Sequence, residues 1–138
     1  MNIALIAHDN KKELMVQFCT AYCGILAKHS ICATATTGQL VAEATGLPIH
    51  RFLAFSHGGG QQIGARIAYD EIDMVLCFGD PNSKTINEDI AYISRLCDKH
   101  NVPFAGNLAT AEMLILGLAR GDLDWRNIVN PNPKPFTA

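Results

Sequence analysis

The chain has little charge bias, no long apolar run and no paired-cysteine motif, and each shortage excludes something. Its 138 residues hold 11 Lys and Arg against 13 Asp and Glu, a formal net charge of −2. So small an imbalance gives no electrostatic reason to expect nucleic acid or an acidic membrane surface as a partner. The apolar runs fall far short of the roughly 20 residues that a membrane span needs. The start, Met1-Asn2-Ile3-Ala4-Leu5-Ile6-Ala7, has no basic segment and no small-residue cleavage site. No secretory signal is therefore expected, and the cytoplasm is the expected compartment. The cysteines, Cys19, Cys23, Cys32, Cys77 and Cys97, are odd in number and form no C-x-x-C pair. Neither a disulfide framework nor a zinc knuckle is indicated, and small core residues are the reading. No metal or other cofactor is expected. There is no Walker A loop, no G-x-G-x-x-G order and no repeat, linker or second domain, so residues 1–138 read as a single domain.

What is there is an alternation. About half of the residues are apolar, enough for a real core. Asn2–Ala7 is a continuous apolar run that reads as a buried strand, and Lys11–His29 carries Leu14, Phe18, Ile25 and Leu26 near helical spacing. Ser30–Thr34 reads as a strand, Gln39–Thr45 as a short helix stopped by Gly46 and Pro48, and Ile49–Phe55 as extended. A glycine run leads into a helix over Gln61–Tyr69; Met74–Phe78 is a strand, Glu88–His100 a helix, Pro103–Ala105 a strand and Thr110–Arg120 a helix. Residues 130–138, with three prolines, read as an extended arm suited to crossing onto a neighbour. Strands and helices in this order imply a three-layer α/β fold, a mostly parallel sheet with helices on both faces. Ligands of such sheets sit at the carboxyl ends of the strands. Four polar clusters fall there: His8-Asp9, Thr34–Gly38, His57–Gln62 and Asp80–Asn87.

Each cluster has a plain and a functional reading. Thr34-Ala35-Thr36-Thr37-Gly38 ends a strand and opens a helix. Its hydroxyls and free N–H groups either cap that helix or cradle an anion, with Lys12 as countercharge. His57-Gly58-Gly59-Gly60-Gln61-Gln62 is either a loose turn or a place where backbone comes close to a ligand. Asp9, after His8, is either the cap of the first helix or an acid or base. His29, His50 and His100 stand outside these clusters, and surface or core roles suit them better.

Taken in order, Ile3-Ala4-Leu5-Ile6-Ala7-His8-Asp9, Lys12, Thr34–Gly38, Gly58-Gly59-Gly60-Gln61-Gln62-Ile63-Gly64-Ala65, Asp80-Pro81 and Asn107-Leu108-Ala109-Thr110-Ala111 resemble methylglyoxal synthase. The resemblance implies that family's fold, a carbon–oxygen lyase reaction turning dihydroxyacetone phosphate into methylglyoxal and phosphate, no metal, and a homo-oligomer, typically a hexamer. It also implies that Lys12, Thr34, Thr36, Thr37 and Gly38 hold phosphate. His8 and Asp9 then line the site, and Gly58, Gly59, Gly60 and Asp80 form the substrate-binding loops.

The departures fall on the chemistry. The family turn G-G-D-Q-Q supplies the general base, and Gly60 stands in that aspartate's place. The family's S-G-P before it is Ala54-Phe55-Ser56 here. The loop after Asp80-Pro81 lacks the family histidine, although Asp89 matches a later carboxylate; Ala35 and Gly106 replace a glycine and a threonine. Candidate replacements for the base are Asp9, His57, Asp89 and Glu88. The expectation is a protein that binds phosphate or a small phosphorylated metabolite, alone or assembled with an active relative, with the family reaction lost or strongly reduced. The alternatives are an enzyme with altered chemistry on a related phosphorylated substrate, and an active methylglyoxal synthase using Asp9 as base.

Overall fold

The structure, a computed structural model, describes residues 1–83, 87–131 and 135–136. Residues 84–86, in the loop read from the sequence after Asp80-Pro81, and 132–134 and 137–138, in the expected arm, lie outside the described residues. Strand β1 (Asn2–Ala7) is followed by a 3-10 turn (Asp9–Lys11), helix α1 (Lys12–Ala21), helix α2 (Cys23–Leu26) and β2 (Ser30–Ala33). Then come α3 (Ala35–Thr45), β3 (Ile49–Arg51), a 3-10 turn (Phe55–His57), α4 (Gly59–Ala68) and β4 (Met74–Phe78). The chain ends with α5 (Asn87–His100), β5 (Phe104–Ala105), α6 (Leu108–Ala119) and α7 (Arg126–Val129).

The strands form one sheet in the order β3-β2-β1-β4-β5. Each pair of neighbours is parallel, with Ala4 level with Cys32 on one side and Val75 on the other. A parallel strand buried on both faces needs apolar residues throughout, which is why β1 and β4 read as unbroken apolar runs. Alternate residues serve opposite layers. Ile3, Leu5 and Ala7 join Met15 and Phe18 of α1, Val41 of α3 and Ile115 of α6. Ala4 and Ile6 join Ile63 and Ile67 of α4 and Ile93 of α5. The expected three-layer α/β fold is therefore present. Among the described residues no helix is long and apolar enough to cross a membrane.

Several boundaries differ from the sequence expectation. The long first helix is broken at Tyr22, whose ψ of 22° leaves the helical range. Helix α3 starts at Ala35 rather than Gln39, so Thr36, Thr37 and Gly38 are its first turn and not a loop before it. The extended stretch from Ile49 keeps strand pairing only to Arg51 and then tightens into the Phe55–His57 turn. Helix α7 was not expected. In the arm, the N–H of Phe136 donates to Ser30 Oγ at 2.6 Å and its ring stacks on His50, 5.6 Å between centroids. This residue thus rests on its own domain.

The end of the sheet away from the strand tips is tied by a buried ion pair. Arg126 Nε donates to Asp73 Oδ1 at 3.0 Å, with both side chains under 5 % exposed. The N–H of Asn2 donates to Asp73 Oδ2 at 2.8 Å, and Arg126 Nη1 donates to the Asn101 carbonyl at 2.8 Å. A buried charge pair needs such extra partners to offset its lost hydration.

Candidate functional site

The carboxyl ends of β1, β2 and β3 surround a cleft of about 170 Å³, walled by His8, Asp9, Lys12, Thr34, Thr36 and Phe55, with Ile90 of α5 opposite. Parallel strands end with their side chains and helix starts on one rim, so the position follows from topology.

Helix α3 brings an unfinished first turn to this rim. Thr34 precedes it in extended conformation (φ −66°, ψ 156°), yet its side chain makes no capping hydrogen bond. The Ala35 N–H reaches the Leu53 carbonyl at 3.4 Å, while the N–H groups of Thr36 and Thr37 have no partner among the described residues. Thr37 is only 1 % exposed, and its Oγ1 is a buried polar atom without a hydrogen bond. Buried hydroxyls are nearly always satisfied, so an orphan at a helix start marks a place that lacks an acceptor. Gly38 lies one residue further in, buried against Ala33 and Arg51.

Lysine supplies the charge. Lys12 Nζ donates to the Ala7 carbonyl and to Asp9 Oδ1, both at 2.9 Å. Those bonds use two of its three protons and leave one for a ligand. The Asp9 side chain is 90 % exposed. The Lys12 ammonium, through its hydrogen bond and its charge, holds the Asp9 carboxyl below its ordinary value. His8 Nδ1 accepts the Asn10 N–H at 3.2 Å, which leaves Nε2 to carry the proton of a neutral ring.

The β3 side is built differently from the sequence reading. There the wall is Ala54-Phe55-Ser56, not the glycine run. Gly58 carries the positive φ (103°) that turns the chain into α4. A Cβ at Gly59 would collide with the Leu53 carbonyl. Gly60 has no positive φ; it is buried beneath the Phe55 ring. His57 is exposed and pairs with Ser56 (Nδ1 to Oγ, 3.2 Å) without lining the cleft. Asp80 lies beside a second cavity of about 440 Å³, walled by Lys11, Leu14, Phe78 and Phe104. It accepts from Asn82 N at 2.9 Å and Asn10 Nδ2 at 3.1 Å, and these bonds, the backbone one first, lower its carboxyl. Glu88 and Asp89 sit with Ala91 and Arg95 on α5, outside the cleft. The structure thus gathers His8, Asp9, Lys12, Thr34 and Thr36 on the cleft wall, with Thr37 one residue behind it. It does not bring His57, Asp80, Asp89, Gly58, Gly59 or Gly60 onto that wall. Phe55 and Ile90 line the cleft and were not singled out as site residues. The only signal for Phe55 was its place in the altered stretch before the glycines.

A family model described as an MGS-like domain matches residues 14–106. A methylglyoxal synthase of Caldicellulosiruptor saccharolyticus is 61 % identical over 132 residues, covering 95 % of this chain and 94 % of that protein. The chain belongs to the methylglyoxal synthase family. Another methylglyoxal synthase, of Geobacillus thermodenitrificans, is 55 % identical over 135 residues, covering 97 % of this chain and 94 % of the relative. The crystal structure of methylglyoxal synthase from Elizabethkingia anophelis matches with a TM-score of 0.78 at 39 % identity, over 83 % of this chain and 76 % of that one. Family membership and the α/β architecture of the methylglyoxal synthase family thus agree with the resemblance in the motifs. Among the described residues, no three His, Cys, Asp or Glu side chains are grouped to hold a metal.

Proposed function

We propose that this protein binds a small phosphorylated ketone in the cleft, with the phosphate on Lys12, Thr34, Thr36 and Thr37, and acts on it as a slow methylglyoxal synthase. The observation that carries the binding is the first turn of α3. Two N–H groups without a partner among the described residues and the unpartnered Thr37 hydroxyl belong to that turn, and Thr36 shares the cleft wall with Lys12, whose ammonium has a proton to spare. A phosphate dianion accepts from helix-start N–H groups and from an ammonium together. The relatives named methylglyoxal synthase favour the family's elimination over a silent binding protein. For dihydroxyacetone phosphate, a base takes a proton from the carbon beside the carbonyl. The enediolate then expels phosphate as the C–O bond breaks, and the enol becomes methylglyoxal.

The carboxylate on the cleft wall is Asp9. It is ionised at neutral pH as any aspartate near its ordinary value is, and Lys12 favours the charged form further. The same pairing makes it a weak base, and a base mismatched to its task forfeits part of the ~10²–10⁴ that general base catalysis supplies. His8, whose Nδ1 accepts the Asn10 N–H, presents Nε2 as the donor available to the enediolate oxygen.

A second reading, binding without turnover, is favoured by Gly60, which has no carboxylate and lies under the Phe55 ring. One experiment separates them. Methylglyoxal formation from dihydroxyacetone phosphate is measured for the wild type and for Asp9→Asn, with thermal shift in inorganic phosphate on the same samples. The enzyme reading expects measurable turnover that falls at least ~10²-fold in Asp9→Asn. Phosphate stabilisation without turnover selects the binding reading. No stabilisation by phosphate or substrate overturns both.

A further inference from the structure

Gly60 is buried in the first turn of α4, and what buries it is an aromatic ring. A Cβ placed on Gly60 would stand 2.9 Å from Phe55 Cε2, 3.2 Å from Cζ and 3.4 Å from Cδ2. Ordinary carbon contacts begin at about 3.5 Å. Even a methyl group at position 60 therefore requires the ring to shift. Neighbouring Gly59 is closed by backbone, since a Cβ there meets the Leu53 and Ala54 carbonyls. Gly60 is closed only by the far end of a side chain, so the obstruction is removable.

Phe55 itself is half-buried and forms part of the cleft wall, whereas Gly60 does not reach it. The ring thus lies between the start of α4 and the ligand space. It adds an aromatic ring to a lining that already holds Ile6, Ala7, Ala54 and Ile90 beside its polar side chains. The cleft it lines has a volume of about 170 Å³.

We propose that Phe55 is the residue that determines what the cleft accepts. Its ring occupies the volume into which any side chain at position 60 would project, so that a ring at 55 and a functional group at 60 exclude each other. This rests on the reading of the cleft as the ligand site. Restoring a carboxylate at position 60 alone therefore does not deliver it to the ligand. In Gly60→Asp the new side chain and the ring compete for one space. Removing the ring opens the start of α4 to the ligand, and a carboxylate introduced together with that removal gains access to it.

The test is a double-mutant cycle of Phe55→Gly and Gly60→Asp, with Phe55→Leu as a milder truncation should the glycine variant fold poorly. Three readouts are taken on each purified variant: the urea midpoint, thermal shift in inorganic phosphate, and methylglyoxal formation from dihydroxyacetone phosphate. Gly60→Asp is expected to lower the urea midpoint and to leave turnover within about threefold of the wild type. The double variant is expected to recover most of that midpoint and to form methylglyoxal at least tenfold faster than either single variant, part of what a positioned base supplies. Phe55→Leu and Phe55→Gly are also expected to be stabilised by a hexose phosphate that leaves the wild type unmoved. Additive effects on midpoint and rate, or a Phe55→Leu variant with unchanged ligand discrimination, would overturn the proposal. The phosphate readout is separate: if phosphate stabilises none of the four proteins, the reading of the cleft fails, whatever the cycle shows for packing.

Discussion

Asp9 has its role set by one neighbour. Its carboxylate is largely in water, so an isolated aspartate there would titrate near the ordinary value of 3.8. The Lys12 ammonium at 2.9 Å favours the charged form and moves the titration down. For a group whose folded value is depressed, the linked stability is present above the ordinary value and is lost as pH falls through the folded one. For a pair this exposed that stability is small. The functional sign is the same: the carboxylate keeps its charge to a lower pH than an isolated aspartate would. In an NMR titration of the side-chain carboxyl carbons, Asp9 is expected to have its midpoint below 3.8 in the wild type and to rise toward 3.8 in Lys12→Met. Equal midpoints in the two proteins would show that the pair does not persist in solution. At this scale the sequence was informative, because His8, Asp9, Lys12 and Thr34 are placed by strand ends that an apolar pattern reveals. It marked Phe55 only as part of an altered stretch, since the ring's meaning depends on a turn that folds it back over Gly60.

Elements were legible where burial alone decides them. Strands β1 and β4 lie inside the sheet, and their apolar runs have the observed bounds. Helix starts were less legible because a threonine-glycine run reads as a loop by local preference. In the structure that run is the first turn of α3, held by the Gly38 N–H to the Thr34 carbonyl at 2.8 Å. Helix α7, four residues long, carries too little periodicity to be seen. The start of α4 shows what a glycine run does when it is not a phosphate loop. Gly58 turns the chain, Gly59 passes against the Leu53 carbonyl, and Gly60 receives a ring. Gly59→Ala puts a methyl group against rigid backbone, so it is expected to cost about 1–3 kcal/mol, the usual penalty of overpacking. Urea unfolding measures this, and a midpoint equal to the wild type's would mean that the turn relaxes freely.

For the molecule as a whole, the buried ion pair and the cleft lie at opposite ends of the sheet. The cleft lies at the strand tips, while the Asp73–Arg126 pair joins the start of β4 to α7 at the other end, 53 residues along the chain. No sequence pattern announces a pair so distant, and neither residue stood out. Arg126→Met leaves the Asp73 carboxylate buried without its partner, so a loss of about 3–5 kcal/mol is expected. The affinity for inorganic phosphate, measured by calorimetry below the melting range, is expected to stay within about twofold of the wild type, since a site far from a change is normally independent of it. A large loss of affinity with little loss of stability would mean that the two ends are coupled.

The sheet closes with a strand of three residues, β3, on one side and one of two residues, β5, on the other. Long, flat outer strands invite other chains to add on, because their unpaired N–H and C=O groups form a template for fibril growth. Here the template is cut to a few groups on each flank, and the Phe136 ring lies over His50 of β3. Crowding many copies together therefore gives sheet-to-sheet polymerisation almost nothing to nucleate on, and any ordered stacking of copies is left to the helices.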